Sequence, residues 1–288
     1  MEHIRDAIEK QKKNFILHNI VRLREMIRYL PQKKLDLFRE IPFLIHVNSP
    51  EFPAYVKSAG DIFGVWNFEN SGFAKDISTK NPHAAKLMKM PVNDPAVQAI
   101  YHIGSLGTFT QSAKSDFDFW IIIDRSRFDN NRFNALQEKL NLIIIYSRRQ
   151  YSQEVSFFLH DAHNLINNQF DEGDEDEIIT VPKMLIKEEF YRTFIMVSGR
   201  IPLWAVIPTD LDDETCMIWK KHALENREFI DLGMLKGIPI DEIQRGLLWQ
   251  ICKAPYDPVK SLIKATVTAS YIEFPDKKNQ IQGFFVTA

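Results

Sequence analysis

The chain has 288 residues, 45% of them apolar and 26% charged, which is the composition of an ordinary globular protein able to bury a sizeable core. Its formal net charge of −2 excludes a generally basic surface for nucleic acid or an anionic membrane. The two cysteines lack CxxC spacing, so neither a disulfide framework nor a zinc site is indicated. With no signal-like start and no apolar run near the roughly 20 residues of a membrane span, we expect a cytoplasmic protein without membrane or nucleic-acid partners.

Residues 1–90 predict a mainly helical N-terminal lobe. Apolar residues recur at helical spacing over 4–30, and a second helix is predicted over 33–46. The stretch 59–91 contains glycines and no clean period, so its secondary structure stays undecided.

Residues 91–208 are predicted to form the central region, in which strands alternate with helices. The run 117–123 is strongly β-prone and ends at Asp124. The acidic run 171–177 is expected to be a solvated loop, because clustered like charges repel. The other elements predicted here are a helix over 130–147, a strand over 155–159, a helix over 182–197 and a strand over 203–207.

Residues 209–288 predict a C-terminal helical subdomain, with breaks near 237–239 and 255–258 where glycine and proline interrupt the pattern. The fold class is therefore α+β, with a small mixed β-sheet between an N-terminal helical lobe and a C-terminal helical subdomain.

Two aspartates carry the clearest chemical pattern. Asp116 and Asp118 stand two apart at the start of a predicted strand, so both side chains are expected on one face. Paired carboxylates repel unless a cation lies between them, and oxygen ligands suit Mg²⁺. Upstream, Gly104 lets the backbone approach a phosphate closely and Ser105 adds a hydroxyl. This combination favours metal-assisted phosphoryl or nucleotidyl transfer.

A third carboxylate is expected on a neighbouring strand. Glu154 immediately precedes the predicted strand 155–159, and alternation places it on the same face as Ser156. Asp161 is the alternative, although it follows the far end of that strand and resembles a cap for the next segment. Glu154 is the favoured candidate.

The stretch from Gly104 to Trp120 resembles the G-S-x-x-S-x-x-Q-x-x-x-S-D-x-D-x-W motif of class I adenylate cyclases. Thr108 stands where the motif has its second serine. Its G-S and D-x-D parts resemble the DNA polymerase β-like nucleotidyltransferase superfamily more broadly. Further likeness to the cyclases follows at 154–159 (E-V-S-F-F-L), at 189–193 (E-F-Y-R-T), at Lys253, and in the P-x-K-x-x-x-K spacing of Pro258, Lys260 and Lys264.

The resemblance implies that the small mixed sheet is a nucleotidyltransferase core which converts ATP to cyclic AMP and pyrophosphate. It implies two Mg²⁺ or Mn²⁺ ions held by Asp116, Asp118 and Glu154, one lowering the pKa of the ribose 3′-hydroxyl and one bridging the triphosphate. A regulatory partner is compatible with the family. The residues implied to bind the nucleotide are Gly104, Ser105, Gln111, Ser115, Arg192, Lys253 and Lys260.

Several alternatives stay open at this point. Arg192, Lys253 and Lys260 could equally be solvated helix residues, and Trp120 could stack on a purine or belong to the core. The protein could instead be a nucleotidyltransferase that passes AMP to an acceptor, or a non-catalytic nucleotide-sensing module, because fold alone does not decide function.

Overall fold

The computed structural model describes residues 2–60, 62–92, 94–108, 110–170, 182–208, 211–235 and 237–273. The chain divides into two compact units. The sheet unit comprises Val21–His163 and Ile195–Ile201, and the helical unit comprises Met1–Ile20, Asn164–Phe194 and Pro202–Ala288. The three-part division at 90 and 208 stays a prediction from sequence. The acidic run 171–177 lies outside the described residues.

The first two helices follow the sequence pattern. Helix α1 (Glu2–Tyr29) and helix α2 (Gln32–His46) confirm the helices predicted over 4–30 and 33–46. Most of the second half of α2 is buried, as expected for a helix that packs on a sheet.

The undecided stretch contains two short helices, α3 (Gly72–Lys80) and α4 (Pro82–Leu87). Each begins at a capping residue: the Ser71 side chain accepts a hydrogen bond from the Ala74 amide, and the Asn81 side chain accepts one from the His83 amide. These helices have too few turns to show a clear apolar period, so their caps are the better signal.

The central sheet has four strands: β1 (Val97–Ile103), β2 (Phe117–Ile123), β3 (Val155–Asp161) and β4 (Ile195–Gly199). Their order is β3-β2-β1-β4, with β2 and β3 parallel and the other pairs antiparallel. Helix α5 (Asn130–Tyr151) forms the crossover between the parallel strands. The predicted strands at 117–123 and 155–159, the helix after the first of them, and the small mixed sheet are confirmed.

One face of this sheet packs on α2 and carries the core of the sheet unit. The Phe38 ring is fully buried, with its centroid 5.4 Å from that of Phe117 and 5.5 Å from that of Phe119. His102 lies on the same face, 5.7 Å from Phe38, and burial lowers its pKa to about 3. The imidazole is therefore neutral at physiological pH and acts as a core ring.

Two predictions between 182 and 207 need correction. The helix predicted over 182–197 is confirmed as α7 (Lys183–Thr193), but its predicted C-terminal end is wrong, because β4 begins at Ile195. Pairing of β4 with β1, almost 100 residues earlier, decides its conformation. The strand predicted over 203–207 is instead a 3-10 turn, Leu203–Ala205, after the two-residue strand β5 (Ile201–Pro202). A short buried apolar run has no period that separates strand from turn or helix.

The helices predicted after Pro208 are confirmed as α8 (Asp213–Leu224), α9 (Ile240–Lys253) and α10 (Pro258–Glu273). The predicted breaks separate them, and a short helix, α6 (Ala162–Ile166), precedes α7. The sequence did not indicate strand β6 (Phe229–Ile230), which pairs with β5. Within the described ranges, no helix combines the length and apolar character needed to cross a membrane.

A buried lysine in the sheet unit leads to a pH-dependent prediction. Lys139 of α5 is 1% exposed, and its ammonium donates to the Ala54 carbonyl at 3.0 Å. Burial lowers its pKa from the ordinary 10.5 to about 7. The unfolded chain therefore binds this proton more tightly than the folded chain, and stability rises with pH between these two values.

Between pH 7 and pH 9, Lys139 should raise the unfolding free energy of the sheet unit by on the order of 2 kcal/mol. The slope approaches about 1.4 kcal/mol per pH unit once the pH is above the folded-state pKa. Urea titrations at several pH values would measure the gain. Lys139→Met should flatten the rise, whereas Lys75→Met, at an exposed position on α3, should keep the wild-type slope. Equal slopes in wild type and Lys139→Met would contradict the prediction.

Candidate active site

The two aspartates flank a buried phenylalanine at the start of β2. Phe117 is fully buried, whereas Asp116 is exposed and Asp118 is half-buried. This alternation directs the aspartates away from the core face that packs on α2. Ile103, at the end of β1, is the register partner of Asp118, so the segment that begins at Gly104 runs beside this carboxylate.

Gly104 leaves space next to the Asp118 carboxylate. Its φ of +99° is in the region that favours glycine, and a Cβ at this position would lie 3.9 Å from Asp118 Oδ2. Any side chain here would be strained and would extend toward the carboxylate. Glycine is therefore the residue that this backbone conformation beside Asp118 favours.

Glu154 lies at the same end of the sheet. Phe117 is the register partner of Val155 in the parallel pair, and the Phe117 amide donates to the Glu154 carbonyl at 3.0 Å. Glu154 therefore stands beside Asp116 at the edge of the sheet, and its side chain is exposed.

Asp161, the alternative third carboxylate, lies at the opposite end. It is the register partner of Ile123, the last residue of β2, and it accepts a hydrogen bond from the Arg125 amide at 3.0 Å. Six residues of strand separate the two ends by roughly 20 Å, at about 3.3 Å per residue. This geometry favours Glu154 over Asp161 as the partner of the aspartate pair.

Hydroxyl groups join the two ends of the loop between β1 and β2. Ser105 Oγ donates to Ser115 Oγ at 2.8 Å, and Ser115 Oγ also accepts from the Ser112 amide at 3.0 Å. Thr108 Oγ1 donates to the Ser105 carbonyl at 2.6 Å, so the threonine that replaces the motif's serine keeps a structural role for the hydroxyl. The two serines predicted to bind nucleotide are thus in contact with each other.

Gln111 holds the same loop in shape. Its Oε1 accepts from the Gly107 amide at 2.7 Å, and its Nε2 donates to the Met26 carbonyl of α1 at 3.2 Å. Both ends of the side-chain amide are used within the sheet unit, which indicates a positioning role for Gln111.

Arg22 is a further loop anchor that sequence reasoning missed. Its Nε donates to the Gly107 carbonyl at 2.9 Å and its Nη2 to the Leu106 carbonyl at 3.1 Å. A Cβ on Gly107 would lie 2.7 Å from the Arg22 carbonyl, so only glycine fits there. The two partners are about 85 residues apart, and no local pattern signals such a contact.

Trp120 is a core residue. Its side chain is 1% exposed and its ring centroid lies 4.5 Å from that of His160 on β3. Of the two alternatives left open by the sequence, the structure favours packing beneath the strand end over stacking on a purine.

The predicted basic residues belong to the helical unit. Arg192 donates to Glu188 at 2.6 Å, and Lys264 donates to Glu189 at 2.7 Å. Burial acts to raise the pKa of Glu189, but the charges of Lys264, Arg192 and Lys260 outweigh it and hold the pKa below its ordinary value. The charges of Arg192 and Lys260 thus both act on Glu189, although its direct ion pair is with Lys264.

Lys253 lies in the last turn of α9, with its ammonium 4.7 Å from the Trp249 ring centroid. For Lys253, Arg192 and Lys260, contact with a triphosphate stays a prediction from sequence.

The three carboxylates at the start of β2 and β3 are ligands that suit a hard divalent cation. Asp116, Asp118 and Glu154 offer only carboxylate oxygens, which Mg²⁺ and Mn²⁺ accept. Among the described residues, no group of three or more histidine, cysteine, aspartate or glutamate side chains is placed to hold one ion. Mg²⁺ commonly takes one or two carboxylates and completes its coordination with substrate phosphates and water. The described carboxylates therefore do not form a preformed cage for one ion.

Comparison with known proteins gives a consistent result. Residues 7–205 match the family model described as the adenylate cyclase NT domain. Proteins named adenylate cyclase from Salmonella typhimurium and Escherichia coli K12 are each 24% identical, with 94% of this chain and 32% of the relative covered. The adenylate cyclase of Haemophilus influenzae is also 24% identical, with 90% of this chain and 34% of the relative covered. The chain thus spans about a third of the length of these relatives. No solved structure gives a significant match.

Proposed function

The chain belongs to the class I adenylate cyclase family, whose N-terminal domain is matched by residues 7–205, and from this premise we propose that it converts ATP to cyclic AMP and pyrophosphate. The observation that carries the proposal is the end of the sheet at which Gly104 lies beside Asp118, with Asp116 and Glu154 at the same edge. A glycine backbone beside paired carboxylates suits a metal-bound triphosphate, because the metal needs oxygen ligands and the phosphates need a closely approaching backbone. We propose on the same grounds that the sheet is a nucleotidyltransferase core.

Asp116 and Asp118 would hold the metal, because they project from one strand face next to the glycine. Glu154, at the same end of the neighbouring strand, would add a carboxylate to the site without sharing one ion with both aspartates. When bound, one or two Mg²⁺ or Mn²⁺ ions would neutralise the triphosphate and lower the pKa of the ribose 3′-hydroxyl. Without such a cation, three carboxylates would repel a polyphosphate.

The loop between β1 and β2 would orient the nucleotide. The Ser105 and Ser115 hydroxyl groups join the two ends of this loop, and Gln111 and Arg22 hold the loop backbone in place. The attacking 3′-oxygen and the α-phosphorus belong to one molecule. The task of the protein is therefore to hold ATP in a conformation that cyclises, and a rigid loop serves that task.

The product distribution tests this proposal. Purified chain incubated with ATP and Mg²⁺ or Mn²⁺, with no second substrate, should release cyclic AMP and pyrophosphate in equal amounts, as measured by mass spectrometry and a pyrophosphate assay. 3′-Deoxy-ATP lacks the attacking hydroxyl and should give no cyclic product.

Two outcomes would contradict it. Transfer of labelled AMP from 3′-deoxy-ATP to any acceptor would identify a nucleotidyltransferase. Binding of ATP without consumption, with either ion, would identify a nucleotide-sensing module.

A further inference from the structure

A cavity of about 300 Å³ lies in the sheet unit between α2, α3 and the end of α5. Its lining includes none of the strand-end residues Asp116, Asp118 and Glu154. The proposed cyclase reaction leaves this cavity without a role. Its volume is at the lower end of the range for small-molecule sites, so a ligand would have to be small.

Glu40 is the distinctive group of the lining. Its carboxylate accepts hydrogen bonds from the hydroxyl groups of Tyr146, at 3.1 and 3.3 Å, and Tyr151, at 3.1 Å. No ion pair in the described part of the chain includes Glu40. Burial raises its pKa, even though both hydroxyls act to lower it. A partly buried carboxylate without a cation is costly, and a positive ligand would offset that cost.

The other charges of the lining are already compensated. Arg39 lies 3.5 Å from Asp76 and 4.0 Å from Asp36, and Lys80 lies 4.0 Å from Asp36. With Glu40, the lining holds three carboxylates and two cations, so one negative charge is left over. The surplus favours a ligand with a single positive charge over an anion.

Apolar side chains complete the walls of the cavity. Phe43 and Phe52 pack edge to face with centroids 4.9 Å apart, and Ile77 and Tyr151 also contribute. The Tyr151 ring already has one cation near it, since Lys33 Nζ lies 5.7 Å from its centroid. Aromatic walls beside a carboxylate suit an ammonium group attached to an apolar body, because ring faces attract cations.

We propose that this cavity binds a small primary ammonium compound, with its ammonium on the Glu40 carboxylate and its apolar body beside Phe43 and Phe52. The carboxylate supplies the charge-assisted hydrogen bond, and the rings remove the hydrocarbon part from water. This ligand class does not depend on the proposed cyclase reaction.

Isothermal titration calorimetry on the full chain, at about pH 8 and without nucleotide, can test the proposal. The probes are 2-phenylethylammonium and its neutral counterpart 2-phenylethanol, which has nearly the same shape. The ammonium compound should bind at least about tenfold more tightly, because the alcohol lacks the charge-assisted hydrogen bond. Equal affinity of the two probes, or no binding of either at millimolar concentration, would overturn the proposal on the unmodified protein.

Variants then locate the site. Glu40→Gln keeps a hydrogen-bond acceptor for the two tyrosines but removes the charge, and it should weaken ammonium binding at least about tenfold. Phe52→Ala should weaken both probes, since it removes a wall. Glu138→Gln, at an exposed position on α5 outside the lining, is the matched control and should bind as wild type. With circular dichroism showing intact folding, unchanged affinity in Glu40→Gln would refute the assignment.

Discussion

Asp118→Asn is expected to reduce cyclic AMP formation by about 10²–10³-fold, the range found when one electrostatic stabiliser of a transition state is removed. Asparagine matches aspartate in volume but lacks the charge needed to hold a divalent cation beside Gly104. Since Asp118 is half-buried and not part of the core, the fold should persist. Turnover of ATP at saturating Mg²⁺ or Mn²⁺, measured beside active wild type, gives the result.

Asp161→Asn provides the matched control. Asp161 lies at the opposite end of the neighbouring strand, and an asparagine there could still accept the hydrogen bond from the Arg125 amide. This variant should retain most of the wild-type activity. If both variants lost activity equally, the effect would be structural and the strand-end assignment would fail. An Asp118→Asn protein with wild-type turnover would also refute it.

Phe38→Ala is expected to lower the unfolding free energy of the sheet unit by about 3–5 kcal/mol, the usual cost of removing a buried phenylalanine ring. Phe38 is fully buried and its ring contacts Phe117, Phe119 and His102, so truncation leaves a cavity between α2 and the sheet. Urea denaturation followed by near-ultraviolet circular dichroism would measure the loss.

Phe158→Ala separates burial from the simple loss of an aromatic ring. Phe158 lies on β3 and is 43% exposed, so its truncation should cost much less than that of Phe38. Similar losses in the two variants would show that the packing of α2 on the sheet is not the main source of stability.

The part of the candidate site that depends only on neighbouring residues could be predicted from sequence. Asp116 and Asp118 share a face because side chains alternate along a strand, and that needs only their spacing of two. The structure adds Glu154 as the neighbouring carboxylate. Because β3 runs parallel to β2, Glu154 lies at the same end of the sheet as the two aspartates. Asp161 could not be set aside before this register was known.

The roles of Gln111 and Trp120 needed the three-dimensional structure. Both belong to the motif that resembles the cyclases, yet Gln111 spans from Gly107 to Met26 and Trp120 packs against His160. A motif shows which residues occur together but not which of them touch the ligand. A side chain that holds the loop and one that binds a nucleotide can leave the same pattern.

The sequence by itself determined the elements whose signal is periodic and local: helices α1, α2 and α5, strands β2 and β3, and the aspartate pair that begins β2. Only the tertiary structure decided β4, which pairs with β1 almost 100 residues earlier, and the anchoring of the Gly107 turn by Arg22. The physical reason is the range of the interactions. Alternation and helical period follow from backbone geometry over a few residues, whereas strand pairing and loop anchoring depend on partners that only the fold brings together.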